Sequence, residues 1–161
     1  MTNSSPAIPF NYLLRVRYYE CDAQQVVFNA RYGDYIDTAA TEFFRAVFGD
    51  YRNLLAAGLD TQVVRQVVEW QAPARFDDVL TVAVETQRVG NSSFQLGFAI
   101  RRYGDEQPIA NAEVVYVMVD AQAFTKLTIP EDIREQLTLG APGVVTDHAG
   151  ALQGQTASHL P

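Results

Sequence analysis

The chain reads as an α+β domain in which one long helix lies against a five-stranded antiparallel sheet. Three observations lead there. One stretch, Tyr32 to Phe48, carries apolar residues at helical spacing. Five other stretches are rich in β-branched residues or alternate with a period of two. The later strands are joined mostly by short turns, which suit hairpins and leave no room for crossover helices. At 161 residues and 48% apolar content the chain can bury one proper core, and two would be cramped.

The elements follow in order. "MTNSSPAIP", residues 1–9, is small, polar and proline-bearing, and is expected to be flexible. "YLLRVRYY" is the first strand. In the helix, Tyr32, Tyr35, Ile36, Ala39, Ala40, Phe43, Phe44, Val47 and Phe48 fall on one wide, aromatic face. Asn29 is placed to cap its start and Gly49 to stop it. A short helix over Asp50–Ala57 is closed by Gly58. Then come "TQVVRQVVEW", "DVLTVAVETQRV", "SFQLGFAIRRY" and "ANAEVVYVMVD" as strands, with "GNSS" and "YGDEQP" as hairpin turns. The helix covers one sheet face, and the other, partly apolar, would suit a partner subunit. Residues 10–138 form the folded domain, and 139–161, without periodicity, are expected to be a flexible tail.

Composition narrows the function. Twelve basic residues against nineteen acidic ones give a net charge of -7, which argues against nucleic acid as a partner. Cys21 is the sole cysteine, so no intrachain disulfide forms. The two histidines, His148 and His159, fall in the expected tail, and no Cys/His cluster has metal spacing. No core histidine base is expected, no metal and no cofactor. No signal peptide or membrane span is visible, and the default location is cytoplasmic.

The remaining chemistry centres on Asp22, in the loop "DAQQVVFNARY" between strand and helix. Taken alone, it reads as a turn former or cap. The other reading joins it to the helix start, where unpaired backbone N–H groups at Asn29 polarise a carbonyl and the carboxylate attacks it or deprotonates a water. If the strand runs that far, Glu20 and Asp22 share a face; Glu20 reads as a supporting residue. Lys126, Arg101 and Arg102 read as solvated cations, Trp70 as packing in the core or a subunit interface, and Cys21 as a small buried residue.

The stretch "VRYYECDAQQVVFNARYGDYIDTA" resembles the opening signature of the 4-hydroxybenzoyl-CoA thioesterase family of hotdog-fold proteins. The likeness continues in order through "APARFDDVLTV", "VGNSSFQL", "IANAEVVYVMVD" and "TKLTIPEDIREQL", from Tyr12 to Leu137. It implies a hotdog fold, dimers whose active sites lie between subunits, and dimers that pair into homotetramers. It implies that Asp22 is the catalytic nucleophile or general base and that the helix start at Asn29 polarises the thioester carbonyl. Gln25, Val27 and Phe28 would meet substrate, and Gly90, Asn91, Ser92 and Ser93 the CoA moiety. The family usually has glycine two or three residues after the aspartate, where this chain has Gln24 and Gln25. Either the loop takes a backbone that tolerates side chains, or the pocket is narrowed.

The function so implied is hydrolysis of an acyl-CoA thioester, a small-molecule substrate, without nucleic acid or membrane. Two alternatives stay open. An acyl carrier protein thioesterase would need a basic rim, which the acidic composition disfavours. A non-catalytic acyl-CoA-binding module is the reading that Gln24 and Gln25 support.

Overall fold

The structure, a computed structural model, describes residues 8–152. The remaining residues of both expected flexible termini, and His159 with them, lie outside the described residues.

Helix α1, Arg31–Phe48, is the axis of the fold. Tyr32, Tyr35, Ile36, Ala39, Ala40, Phe43, Phe44 and Phe48 are buried along it, each large side chain contributing about 1.5–3 kcal/mol of apolar transfer free energy. It ends where Gly49 takes φ 78°, a conformation that glycine adopts without a Cβ penalty. Helix α2, Tyr51–Ala56, starts at Asp50, whose carboxylate accepts the Arg52 N–H at 2.8 Å.

The sheet curls over α1. Its strands are β1, Phe10–Arg15; β2, Leu59–Trp70; β3, Val79–Val89; β4, Ser93–Arg102; β5, Pro108–Asp120; and β6, Val145–Asp147. Their spatial order is β2-β5-β4-β3-β1-β6, antiparallel except for the parallel β1–β6 pair. One row of partners crosses most of it: Tyr12, Val82, Ile100, Ala110 and Trp70. Leu80, Val82 and Val84 alternate inward from β3, as do Phe94, Leu96, Phe98 and Ile100 from β4. Phe44 gathers Phe94 and Tyr116 edge-on at 6.0 and 5.5 Å, so the helix meets β4 and β5 through aromatic contacts. This is the hotdog arrangement.

Two expectations are corrected. The sheet has six strands, not five. The sixth, with its approach, lies in the expected flexible tail: after α3, Glu131–Leu139, the chain turns at Gly140, buries Ala141 and pairs β6 with β1. Three residues are too few to show a period in sequence. The first strand begins at Phe10 and stops at Arg15 rather than running to Tyr19, because a 3-10 turn takes up Tyr18–Glu20. The outer sheet face is partly apolar: Leu13, Val67, Ala83 and Ala99 stand there beside Arg65, Glu85 and Glu113.

Candidate active site

The loop between β1 and α1 is a small hairpin. The Asp22 N–H donates to the Val26 carbonyl at 2.9 Å, and the Gln25 N–H donates to the Asp22 carbonyl at 2.9 Å. Residues 22–25 therefore close a tight turn, and its last position is left-handed so that the chain can return. Gln25 occupies it, with φ 63°. A side chain thus stands at a left-handed position, the kind that favours glycine. Both Gln24 and Gln25 are exposed.

Asp22 is half-buried. Its Oδ1 accepts the Gln24 N–H at 2.8 Å, as a turn-forming aspartate does. Its other oxygen, Oδ2, has no hydrogen-bond partner among the described residues. The side chain thus serves the turn with one oxygen and leaves the second for chemistry.

The return arm is fixed to the sheet side of the fold. The Val27 N–H donates to the Ala74 carbonyl at 2.8 Å, and Val27 is buried. Phe28 is 48% exposed, and its N–H donates to the Glu20 carbonyl at 2.9 Å. The chain then enters α1. Ala30, not Asn29, is the N-cap, in an αR conformation and with no side-chain bond. Asn29 already lies in a turn, so its amide cannot fold over the first helical N–H groups. The consequence is chemical: among the described residues, the backbone N–H groups of Asn29 and Ala30 have no acceptor, and both residues are exposed. Two free donors at a helix entrance suit a developing oxyanion.

Glu20 supports this loop: it closes the 3-10 turn and is buried, whereas Asp22 opens the hairpin turn and is half-buried. The Glu20 Oε2 accepts the Arg17 N–H at 2.7 Å and the Tyr35 O–H at 2.8 Å. Burial, then the bond to Glu20, push the Tyr35 phenol well above its usual range. Cys21 is no nucleophile: burial first, then the carboxylates of Glu20 and Asp22, push its thiol up.

The other expected site residues lie far away within one chain. In the turn Gly90–Ser93 the Gly90 N–H donates to the Ser93 carbonyl at 2.7 Å. The Ser92 carbonyl accepts from Met118, that of Asn91 from Ile129, and that of Gly90 from the Arg134 guanidinium. Ser93 shares a row with Val117 and Gln62, whereas α1 begins beside Trp70, whose ring meets Tyr32 edge-on at 5.9 Å. Seven residues of β4 separate Ser93 from the Trp70 row, about 23 Å at the usual rise of a strand. Asp22, Gln25, Phe28 and Asn29 lie on one short hairpin that leads into α1, and Gly90–Ser93 lie at the far end of β4. Neither of its two main concavities is lined by Asp22 or Asn29.

Trp70, expected to pack in the core or an interface, is half-exposed at the end of β2. Arg102 is not a free solvated cation, since it pairs with Asp78 at 3.3 Å and Asp105 at 3.0 Å; Arg101 and Lys126 are exposed. Two contributors were missed. Tyr35 reads in sequence as one more core aromatic, and its hydroxyl partner appears only once the 3-10 turn places Glu20. His148 was dismissed with the tail, yet its Nδ1 lies 3.1 Å from the Tyr12 hydroxyl. Nothing local in the sequence signals that contact, 136 positions away.

Comparison with known proteins agrees with this architecture. The sequence profile of the thioesterase-like superfamily matches residues 16–137. The acyl-CoA thioester hydrolase YbgC of Escherichia coli is 33% identical over 125 residues, which cover 77% of this chain and 92% of that protein. An Aquifex aeolicus protein described as a putative esterase is 27% identical over 130 residues, 81% of this chain and 98% of its own. The crystal structure of a hypothetical protein from Aquifex aeolicus superposes with a TM-score of 0.74 at 27% identity, covering 80% of this chain and 99% of that one. No helix among the described residues is long and apolar enough to cross a membrane. The chain belongs to the thioesterase-like superfamily.

Proposed function

We propose that the chain is an acyl-CoA thioesterase that hydrolyses a thioester to the free acid and CoA. The observation that carries this is the pairing of a carboxylate oxygen left free at Asp22 with free backbone N–H groups at Asn29 and Ala30, in a family whose relatives include an acyl-CoA thioester hydrolase. The thioester oxygen sits against the amides at the start of α1, where the helix dipole and two donors favour the negative charge of a tetrahedral intermediate. Asp22 either attacks the carbonyl carbon or takes a proton from the attacking water. CoA thiolate leaves and takes up a proton. Where Asp22 has attacked, the mixed anhydride so formed is then cleaved by water, which releases the acid and restores the carboxylate. Where it has acted as base, the acid forms directly.

The site is completed by a second copy of the chain. Strand β2 pairs with β5 on one side only among the described residues, and Val63 and Val64 stand half-exposed on it. A long strand with a free edge invites pairing. Pairing β2 with its twin about a twofold axis is antiparallel, so the Trp70 end of one copy meets the Leu59 end of the other. That carries the partner's turn at Gly90–Ser93 to the end of the fold where Asp22 lies, and reconciles the 23 Å separation with a shared CoA site. Dimers pairing into homotetramers, in the cytoplasm, complete the reading.

The test is a thiol-release screen across short, long and aromatic acyl-CoAs, run beside acyl carrier protein thioesters. Steady thiol release from an acyl-CoA supports the proposal. Release from the carrier protein thioesters alone moves the substrate to that class. Thermal stabilisation by acyl-CoA without thiol release assigns a binding module instead. That second reading rests on Gln24 and Gln25, which stand in the turn beside Asp22.

A further inference from the structure

A second cleft, of about 560 Å³, opens between α1, the end of β1 and the segment after β6. Its floor includes Tyr12, Leu14 and Val16, with Tyr18 and Phe76 stacked edge-on at 5.9 Å on its rim. One wall is His148, which lies beyond residue 137, where the match to the family profile ends. His148 is held firmly. Its N–H donates to the Leu13 carbonyl at 2.9 Å, and its ring stands at 87° to that of Tyr12, 5.2 Å between centres.

The hydrogen bonds show what the cleft lacks. Its carboxylates already have donors: Glu20 has Arg17 N–H and Tyr35 O–H, Asp34 has Arg31 at 3.2 Å, and Asp77 has Arg15 at 3.3 Å. Of the cleft's basic groups, Arg15 and Arg31 each have a carboxylate partner, and two others have none among the described residues. The Arg17 guanidinium has no carboxylate partner and gives one bond, from Nη1 to the Tyr19 hydroxyl at 2.9 Å. The Tyr12 hydroxyl and His148 Nδ1 share a hydrogen bond whose donor depends on the ring tautomer; in the tautomer whose Nδ1 accepts, the ring proton sits on Nε2, which has no acceptor among the described residues. A guanidinium without a carboxylate partner, a histidine ring and aromatic walls suit a planar anionic ligand.

We propose that this cleft is a second binding site, for a small aromatic carboxylate, read by the His148 Nε2–H and the Arg17 guanidinium. It is separate from the site proposed for hydrolysis: Asp22, Asn29 and Gly90–Ser93 do not line it. The segment that follows the superfamily domain therefore supplies one of its two recognition groups.

The test is an NMR titration of the full-length protein with sodium benzoate, with benzyl alcohol as the uncharged twin. The chain has two histidines, so the His148 ring signals are identified by their loss in His148→Asn. Saturable shifts of the His148 and Tyr12 rings are expected with benzoate, and binding about tenfold weaker or worse for benzyl alcohol. His148→Asn keeps an oxygen to accept from Tyr12 and removes Nε2, so it should leave the melting temperature unchanged while weakening benzoate about tenfold, read at Tyr12. Arg17→Ala should weaken it similarly. Asp22→Asn should bind benzoate as wild type does, whatever its effect on thioester hydrolysis. No saturable shift, equal binding of the two probes, wild-type affinity in both His148→Asn and Arg17→Ala, or loss of binding in Asp22→Asn would each overturn the proposal.

Discussion

Tyr35→Phe removes one oxygen from the core and tests what holds the catalytic loop. Glu20 is 9% exposed, and two donors satisfy its carboxylate: the Arg17 N–H at 2.7 Å and the Tyr35 O–H at 2.8 Å. Removing one of two bonds to a buried carboxylate costs about 1.5–3 kcal/mol. For a chain of this size each kcal/mol shifts the melting temperature by about 2–4 °C, so a fall of roughly 3–12 °C is expected. The same turn carries the Glu20 carbonyl that receives the Phe28 N–H, so loosening it displaces the helix entrance and lowers turnover as well. Calorimetry of the wild type, Tyr35→Phe, Glu20→Gln and the double variant gives the coupling directly. A coupling of about 1 kcal/mol or more is expected. Additive effects, or a Tyr35→Phe protein as stable and active as the wild type, would refute the assignment of this bond as the loop's anchor.

Gln25→Gly should be neutral or stabilising by up to about 1 kcal/mol, because a left-handed φ of 63° costs a residue with a Cβ about 1–2 kcal/mol while glycine costs more to order. Gln25→Val should destabilise by a comparable amount, and chemical denaturation of the pair checks both signs. The alkaline limb of stability supplies another test. Burial raises the phenols of Tyr35 and Tyr116, and raises Tyr51, which donates to Asp60, to about 12. A raised folded value means that the unfolded chain releases protons first, so stability is full below pH 10 and falls as pH climbs toward 12. Each phenol contributes about 1.4 kcal/mol per pH unit in that window. Tyr51→Phe should shallow the slope by that amount, and urea denaturation at pH 10 and 11 reads it.

Most of the fold was legible because its signals are periodic. The aromatic stripe of α1 and the inward alternation of β3 and β4 repeat often enough to fix both type and facing residues. What escaped was short or non-local. β6 is three residues long and is held by an edge whose need for a partner cannot be read from residues 145–147. The 3-10 turn at Tyr18–Glu20 interrupts a stretch whose composition still favours a strand, and it changes Glu20 from a neighbour of Asp22 into a buried anchor for Tyr35. In the candidate site, Asp22 and the helix entrance were legible from their adjacency in sequence. The capping position was not: Ala30 rather than Asn29 is the N-cap, and the Asn29 backbone N–H has no acceptor among the described residues.

The central claim is that Asp22 performs hydrolysis, and turnover of the Asp22→Asn protein tests it most directly. Asparagine keeps an oxygen to accept the Gln24 N–H that closes the turn at 2.8 Å, so fold and assembly should persist. It can neither attack as a carboxylate nor accept a proton from water. On the best acyl-CoA substrate, kcat should fall by about 10²–10⁴-fold, with the circular dichroism spectrum and the oligomeric state unchanged. Wild-type turnover in a correctly folded Asp22→Asn protein would contradict the account.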